Sequence, residues 1–265
     1  MAATARSVRV AARSVGKRGA AVPPVPCRSC ILRRAAAFRP FSATELRFVS
    51  AMKRRHVTFA PGADILRLGP TDGALYTLYE GWAMRYRALP DGTNQLLDIV
   101  LPGDLVGLGG MLLGEHRHGV RTITAASACE LDGGRFQRLY RQHPELGLGL
   151  LEARMRDLER ADTRLTLLGR LSATERTAYL LLELRERLRE RGLTQGDECP
   201  FPLRRGQLAD ALGLSKVHLM RALRYLREHG LLHLDGRTLS IPDTRRLARF
   251  SGYVAERWLK PYSIL

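Results

Sequence analysis

No apolar run in the 265-residue chain approaches the length that crosses a bilayer, so the sequence offers no candidate membrane span. The start of the chain also lacks the apolar core of a secretory signal, which leads to the expectation of a cytoplasmic protein. Cysteine is scarce, and four in this length do not make a disulfide framework. Paired carboxylates in a catalytic setting, a glycine-rich phosphate loop and a nucleophile motif are all missing, so nothing argues for an enzyme. Acid is missing from one end: no Asp or Glu precedes Glu45, whereas nine Lys or Arg do.

What the chain has in excess is positive charge, +17 net with a pI near 10.7, which is consistent with a polyanionic partner. Roughly half of that excess lies before Glu45, in a leading region that opens with an arm, "MAATARSVRVAARSVGKRGAAVPPVP", rich in Ala, Arg, Ser and Val and closed by prolines. The composition fits a disordered basic arm and is also that of an organelle transit peptide.

The more specific cationic feature is "LADALGLSKVHLMRALRYLREHGLL", from Leu208 to Leu232. Leu219, Ala222, Leu223 and Leu226 recur at helical spacing and make one apolar stripe. Ser215 is placed to cap that helix, and Gly213 to end a preceding one over Arg205 to Leu212. At 100° per residue the opposite face centres on Val217, Arg221, Arg224 and Glu228, flanked by Lys216, His218, Met220 and Tyr225. Long cationic arms on such a face suit phosphates and base edges. "LLHLDGRTLSI" follows, with β-type runs at Leu231 to Leu234 and Thr238 to Ile241 joined through Asp235-Gly236, a hairpin signal. Helix, turn, helix and hairpin in that order make a winged helix, whose second helix enters the major groove of double-stranded DNA.

Ahead of it, Phe59 to about Arg138 reads as short β-type runs. Turn signals at Glu80-Gly81, Pro90-Asp91-Gly92 and Pro102-Gly103-Asp104 recur with the rhythm of a small antiparallel roll. In "RTITAASACELD" the alternation places Ile123, Ala125, Ser127, Cys129 and Leu131 on one face, expected to be the inner one. Residues of about 141–170 read as one long helix, with Leu151, Leu158, Ala161, Leu165 and Leu168 in a three-four repeat broken once by Arg154. So narrow a stripe fits a two-helix seam between copies. A second helix, Ala173 to Arg191, then leads through the loop "GLTQGDECPFPL" to the helix-turn-helix.

The expected fold is therefore α+β: an N-terminal antiparallel β-roll, a long dimerisation helix and a C-terminal winged helix-turn-helix. This order, with "LYTLYEGWAMRY", "PDGTNQLLDIVLPGDLVG" and "LADALGLSKVHLMRALRYLREHGLL", resembles the CRP/FNR superfamily of bacterial transcription regulators over about residues 38–252. The divisions are an arm at 1–37, a roll of the cyclic-nucleotide-binding kind at 38–140, a dimerisation helix at 141–171, the winged helix at 172–252 and a tail at 253–265. The resemblance implies a homodimer on a palindromic site that contacts RNA polymerase. Ser215, Lys216, Val217, His218, Arg221 and Arg224 would then meet the DNA. The family usually has Glu at the position of Val217 and Arg at that of Arg221, so Arg221 is kept and the carboxylate is not. A competing reading is a sensory or scaffold module that keeps the roll but no longer reads DNA.

Family members that bind cyclic AMP carry Gly-Glu-Leu and, about ten residues on, Arg-Ser. Here those places hold Gly107-Leu108-Gly109 and His118-Gly119, so no cyclic-nucleotide response is expected. Arg117 and Arg121 lie nearby as loop charges or ligands for another anion, and His116 and His118 stand two apart without an evident third metal ligand. Cys27, Cys30 and Cys129 resemble ligands of the family's oxygen-sensing iron-sulfur branch, which places the chain on the FNR/FixK-like side. A fourth thiolate is missing: Ala36 stands where it is expected, and Cys199 lies in the other domain. His56 is a candidate substitute, while a basic dithiol could instead form a disulfide or take up zinc, with Arg28 favouring thiolate.

Overall fold

A computed structural model describes residues 20–23 and 25–254; the beginning of the basic arm and the end of the tail lie outside the described residues. Strands β1 (Ala20–Val22), β2 (Lys53–Phe59), β3 (Asp64–Leu66), β4 (Gly69–Pro70), β5 (Ala74–Glu80), β6 (Ala83–Ala88), β7 (Asn94–Val100), β8 (Leu105–Val106), β9 (Glu115–His116), β10 (Gly119–Thr122) and β11 (Ala126–Asp132) build the front of the chain. They form a five-stranded sheet, β1-β2-β11-β5-β8, and a four-stranded sheet, β3-β10-β6-β7, with β4 paired to β9. Every pairing is antiparallel.

Val57, Phe59, Ile65, Leu66, Leu78, Ala83, Val100, Val120, Ala126 and Ala128 fill the space between the sheets. The turn signals fall between strands as expected. At Gly81 φ is +85°, and a Cβ there would run into the Ala125 carbonyl, so only glycine closes that turn.

The strand β11 corrects the sequence reading. It begins at Ala126, with Ala125 exposed. Ala126 and Ala128 face the roll interior, whereas Leu131 packs on the other side, with Val49 and Met52 of helix α1 (Ala43–Met52). Cys129 shares that outer side, turned toward the N-terminal segment. Both faces are covered, so alternation alone could not say which one was inner.

The arm is not free along its whole length to residue 37 either. β1 adds to the sheet edge, short 3₁₀ turns span Cys27–Ser29 and Ile31–Arg34, and Leu32, Ala37 and Phe38 are buried. Phe38 covers Gly103, and the Ala37 N–H donates to the carbonyl of Glu190 at 3.0 Å.

After α2 (Leu108–Leu113) and α3 (Phe136–Gln142), the chain breaks at His143, and α4 runs from Pro144 to Arg170. The long helix thus starts later than 141, because proline lacks the N–H needed to continue a helix and suits a first turn. Leu146 and Leu150 of α4 are buried. Its outer side exposes Leu148, Leu151, Met155, Leu158, Leu165 and Leu168, and Ala161 is also exposed. Met155 fills the turn at which Arg154 had seemed to interrupt the stripe; Arg154 pairs instead with Asp157 at 2.6 Å.

The helix α5 (Ala173–Glu190) starts in a capping box between Ser172 and Glu175. It is followed by β12 (Glu198–Pro200), α6 (Arg205–Leu212), α7 (Lys216–Glu228), β13 (His233–Asp235), β14 (Thr238–Ser240) and α8 (Thr244–Ser251). The supposed loop before the helix-turn-helix therefore contributes β12 to a three-stranded sheet, β12-β14-β13. No described helix is long and apolar enough to cross a membrane.

One core joins roll and winged helix, since Trp82, Leu96, Ile99 and Leu101 pack with Leu181, Leu208 and Leu212. A buried ionic network reinforces the joint. Asp98 accepts from Arg164 of α4 at 2.8 Å and faces Arg187 of α5 at 3.6 Å, and Asp104 accepts from Arg187 at 3.0 Å and Arg191 at 2.6 Å. Burial alone would push the Asp98 carboxyl upward; the surrounding arginines outweigh it and hold the group well below the usual carboxylate range. Removing one partner of such a network leaves a buried charge unpaired, a loss of about 3–5 kcal/mol.

Candidate nucleic-acid interface

The turn that presents the recognition helix is built locally. Gly213 takes φ +61° and ends α6, and Ser215 caps α7 by accepting from the His218 N–H at 3.2 Å. Leu219, Ala222, Leu223 and Leu226 are buried, as their spacing predicted. That leaves Ser215, Lys216, Val217, His218, Arg221 and Arg224 exposed on one continuous surface. The structure brings all six sequence-predicted residues together, with the His218 ring nitrogen Nδ1 2.9 Å from the Ser215 hydroxyl.

A groove beside this helix adds residues to those six. Arg205 from α6, Met220, and Arg227 one turn beyond Arg224 line it with Leu232 and Leu234 of the wing. Arg227 was within reach of the helical wheel, at seven residues from Met220 on the same flank. Arg205 was not, because only tertiary packing carries it there; its Nη2 reaches the Leu234 carbonyl at 3.5 Å. Val217 and Met220, 59% and 51% exposed, stand as apolar knobs among the cations. Side chains of this kind can touch thymine methyl groups while arginines bridge guanine edges and phosphates.

In the roll, two glycines at or next to the positions compared with the cyclic-nucleotide motifs are tightly packed. Tyr86 lies against the Cα of Gly119, and the His116 ring lies against Gly110, in each case where a Cβ would stand. Arg121, raised above as an anion ligand, is already committed: its Nε donates to Asp64 at 2.8 Å and its Nη2 to the Tyr86 hydroxyl at 3.2 Å. Arg117 pairs with Glu115 at 3.2 Å on the surface. Burial lowers the pKa of His116, and burial with Arg85, His116 and Arg154 nearby takes that of His118 down to about 4. Burial thus favours the neutral imidazole at both positions, and no group of three or more His, Cys, Asp or Glu among the described residues is placed to hold a metal ion.

Cys27, Cys30 and Cys129 do converge, on one small apolar cavity that Leu32, Tyr79 and Leu131 also line. Two cations border it, Arg33 and Lys53. Arg28, the cation expected beside the thiols, is exposed instead. Burial pushes the Cys129 thiol up against the opposing pull of Lys53, and His56 Nδ1 lies 3.7 Å from its sulfur. Cys199 sits in the core of the winged helix, where burial pushes its thiol up to about 11.

The fold and this exposed helix define the class, a winged helix-turn-helix DNA-binding protein preceded by a roll of the cyclic-nucleotide-binding kind. Comparison with known proteins agrees. A Crp-like helix-turn-helix domain model matches residues 175–250, and a cyclic nucleotide-binding domain model matches residues 56–143. The chain is 32% identical over 222 residues to the nitrogen fixation regulation protein FixK of Bradyrhizobium diazoefficiens, a match covering 83% of this chain and 92% of that one. It is 22% identical over 229 residues to the fumarate and nitrate reduction regulatory protein of Escherichia coli K12, covering 86% and 91%. The solved structure of FixK2 from Bradyrhizobium japonicum superposes with a TM-score of 0.66 at 25% identity, over 76% of this chain and 98% of that one. The chain belongs to the CRP/FNR family and is a DNA-binding transcription regulator; the family's members are regulators, not enzymes.

The close packing of Tyr86 on Gly119 makes a prediction. Gly119→Ser puts a side chain into the Tyr86 ring and is expected to destabilise the protein by about 1–3 kcal/mol, as overpacking does. Tyr86→Ala in the same chain should relieve most of that increment, measured as the coupling energy in a thermal-denaturation double-mutant cycle.

Proposed function

We propose that this regulator acts in the cytoplasm as a homodimer on a palindromic DNA site, in contact with RNA polymerase and without a cyclic nucleotide. The observation that carries the DNA reading is the exposed face of α7, where Arg221 and Arg224 flank Val217 and none of the three is buried. Duplex DNA is recognised by such a helix through two kinds of contact, and the residues divide accordingly. Arg221 reads a base edge and Arg224 holds a phosphate. Because Val217 cannot accept from a cytosine amino group, the half-site departs from the family's customary one at that base pair.

The exposed stripe on α4 supplies the dimer. Leu151, Leu158, Ala161, Leu165 and Leu168 alternate by threes and fours, and Leu148 and Met155 extend the row. Leu168 also lies near Gly213 in the turn between α6 and α7, so the seam ends beside the DNA-binding element. Apolar side chains exposed in a row on a helix this long are covered by a second copy related by a two-fold axis.

For the signal, the residues do not fit an iron-sulfur cluster. Three thiols border a small apolar cavity shared with Arg33 and Lys53 and no fourth cysteine reaches it; His56 Nδ1 lies 3.7 Å from the Cys129 sulfur, but no group of three or more His, Cys, Asp or Glu among the described residues is placed to hold a metal. We infer thiol chemistry there. With hydrogen peroxide as oxidant, Cys27 and Cys30 would each give up a proton and an electron, forming one S–S bond while the O–O bond breaks to yield two water molecules.

Three outcomes are expected. Leu158→Asp with Leu165→Asp should give monomers in sedimentation and lose specific DNA binding, since like charges would face each other across the axis; a persisting dimer would place the seam elsewhere. In gel shifts, Arg221→Ala should cost about 1–3 kcal/mol at one base position, while Arg224→Ala weakens all sequences alike and flattens the salt dependence by about one unit. Equal losses on specific and random DNA for both would refute that division, and no preference for any genomic fragment in the unaltered protein would favour the scaffold reading. Finally, protein reconstituted anaerobically with iron and sulfide should show no visible band, and DNA binding should differ between peroxide and reductant unless Cys27 and Cys30 are serine. A blue-region band with stoichiometric iron, lost in Cys129→Ser, would establish a cluster instead.

A further inference from the structure

The last described helix, α8, carries charge that neither the recognition helix nor the wing uses. Asp243 caps α8 by accepting from the Arg246 N–H at 2.9 Å, and Leu247 and Ser251 are its buried positions. At 100° per residue this turns Arg245 and Arg249 away from the core and sets Arg246 at the side. All three arginines are exposed, the helix itself contains no acid, and none of the three is ion-paired among the described residues.

Its position makes the row informative. Phe250, one turn beyond Arg246, stacks on Tyr225 of the recognition helix with ring centroids 5.9 Å apart and planes at 29°. Tyr225 stacks in turn on His229 at 3.9 Å. Tyr225 follows Arg224 directly and stands one turn beyond Arg221, and it is 41% exposed. The aromatic contact therefore joins two arginine groups into one surface, one on the face of α7 and the other on α8. Asp243, whose carboxylate caps α8, and Glu228 on α7 are the acids nearest to this strip in sequence.

We propose that α8 is a second backbone clamp, in which Arg245, Arg246 and Arg249 hold phosphates of the duplex flanking the half-site read by α7. The proposal rests on the DNA reading of α7 and deepens it. Guanidinium groups without carboxylate partners bind phosphates with charge-assisted hydrogen bonds, and such contacts add affinity and register but no sequence information.

The test uses the full-length protein and fluorescence anisotropy on two duplexes, one ending at the operator and one extended on both sides. The unaltered protein should bind the extended duplex more tightly. The triple variant Arg245→Ala, Arg246→Ala, Arg249→Ala should lose that gain and bind specific and random extended DNA ~10-fold more weakly at low salt, with the slope of log K against log salt falling by about one unit per lost contact. Its ratio of specific to random affinity should not change. The corresponding triple Lys variant should restore most of the affinity, which separates lost charge from lost folding. Unchanged affinity and slope in the triple Ala variant would overturn the clamp, and so would a fall in the specificity ratio. If those variants bind DNA normally but fail only in transcription with RNA polymerase, the row serves a protein partner and the clamp is likewise overturned. Arg221→Ala is the control: if it too leaves specific binding intact, the reading of α7 has failed, whereas if it alone acts, only the clamp has.

Discussion

The arginine–carboxylate network between the roll and α5 determines where every functional surface lies. Asp98 and Asp104 come from the roll, Arg164 from α4, and Arg187 and Arg191 from α5, so three parts of the chain share one set of buried charges. None of these groups can leave without exposing another to an apolar surrounding, which makes the joint sensitive to single changes. Next to it, the Leu96 N–H on the edge strand β7 donates to the Asp210 carboxylate of α6 at 2.7 Å, and Gln95 Nε2 reaches the Asp210 carbonyl at 2.9 Å. The exposed edge of the sheet is thus closed by the first helix of the helix-turn-helix. A change in the roll that moved β7 would be felt directly by the DNA-binding element.

The roll is tightly packed where its sequence departs from the cyclic-nucleotide motifs, and its cations there are paired. Here Tyr86 and His116 take the space beside the glycines, and Asp64 with the Tyr86 hydroxyl satisfies Arg121. Burial keeps His118 neutral near Arg85 and Arg154, so the region does not gather charge on acidification until well below neutral pH. On the five-stranded sheet, the N-terminal segment folds over the thiols and continues through Phe38 to the end of α5. That strap is a short physical route from the cysteine cavity to the DNA-binding domain.

Much of the interface was legible in the sequence. The positions that face the core on α7 follow from a 3.6-residue period, and the turn before it needed only Gly213 and Ser215, whose roles are local. The exposed apolar stripe of α4 was legible in the same way, although following Leu151 to Leu158 obscured Met155, the member of the intervening turn. β11 was harder, because a strand covered on both faces carries no mark of which face is inside. The strand β12 escaped notice because three residues between glycine and proline have no period to read.

The sequence by itself determined the elements whose reasons lie within a few residues: the helix-turn-helix, its cap, the hairpin wing, the exposed cations, and the roll's turns. Those depend on backbone preferences and side-chain periodicity, which neighbours along the chain settle. Tertiary structure decided which charges are free and which are spent. Arg121 and Arg221 look alike in sequence, yet one is held by Asp64 from a strand 57 residues away and the other stands exposed on a helix. Whether a guanidinium can bind a ligand depends on the carboxylates within a few ångströms, and only the folded chain sets those distances.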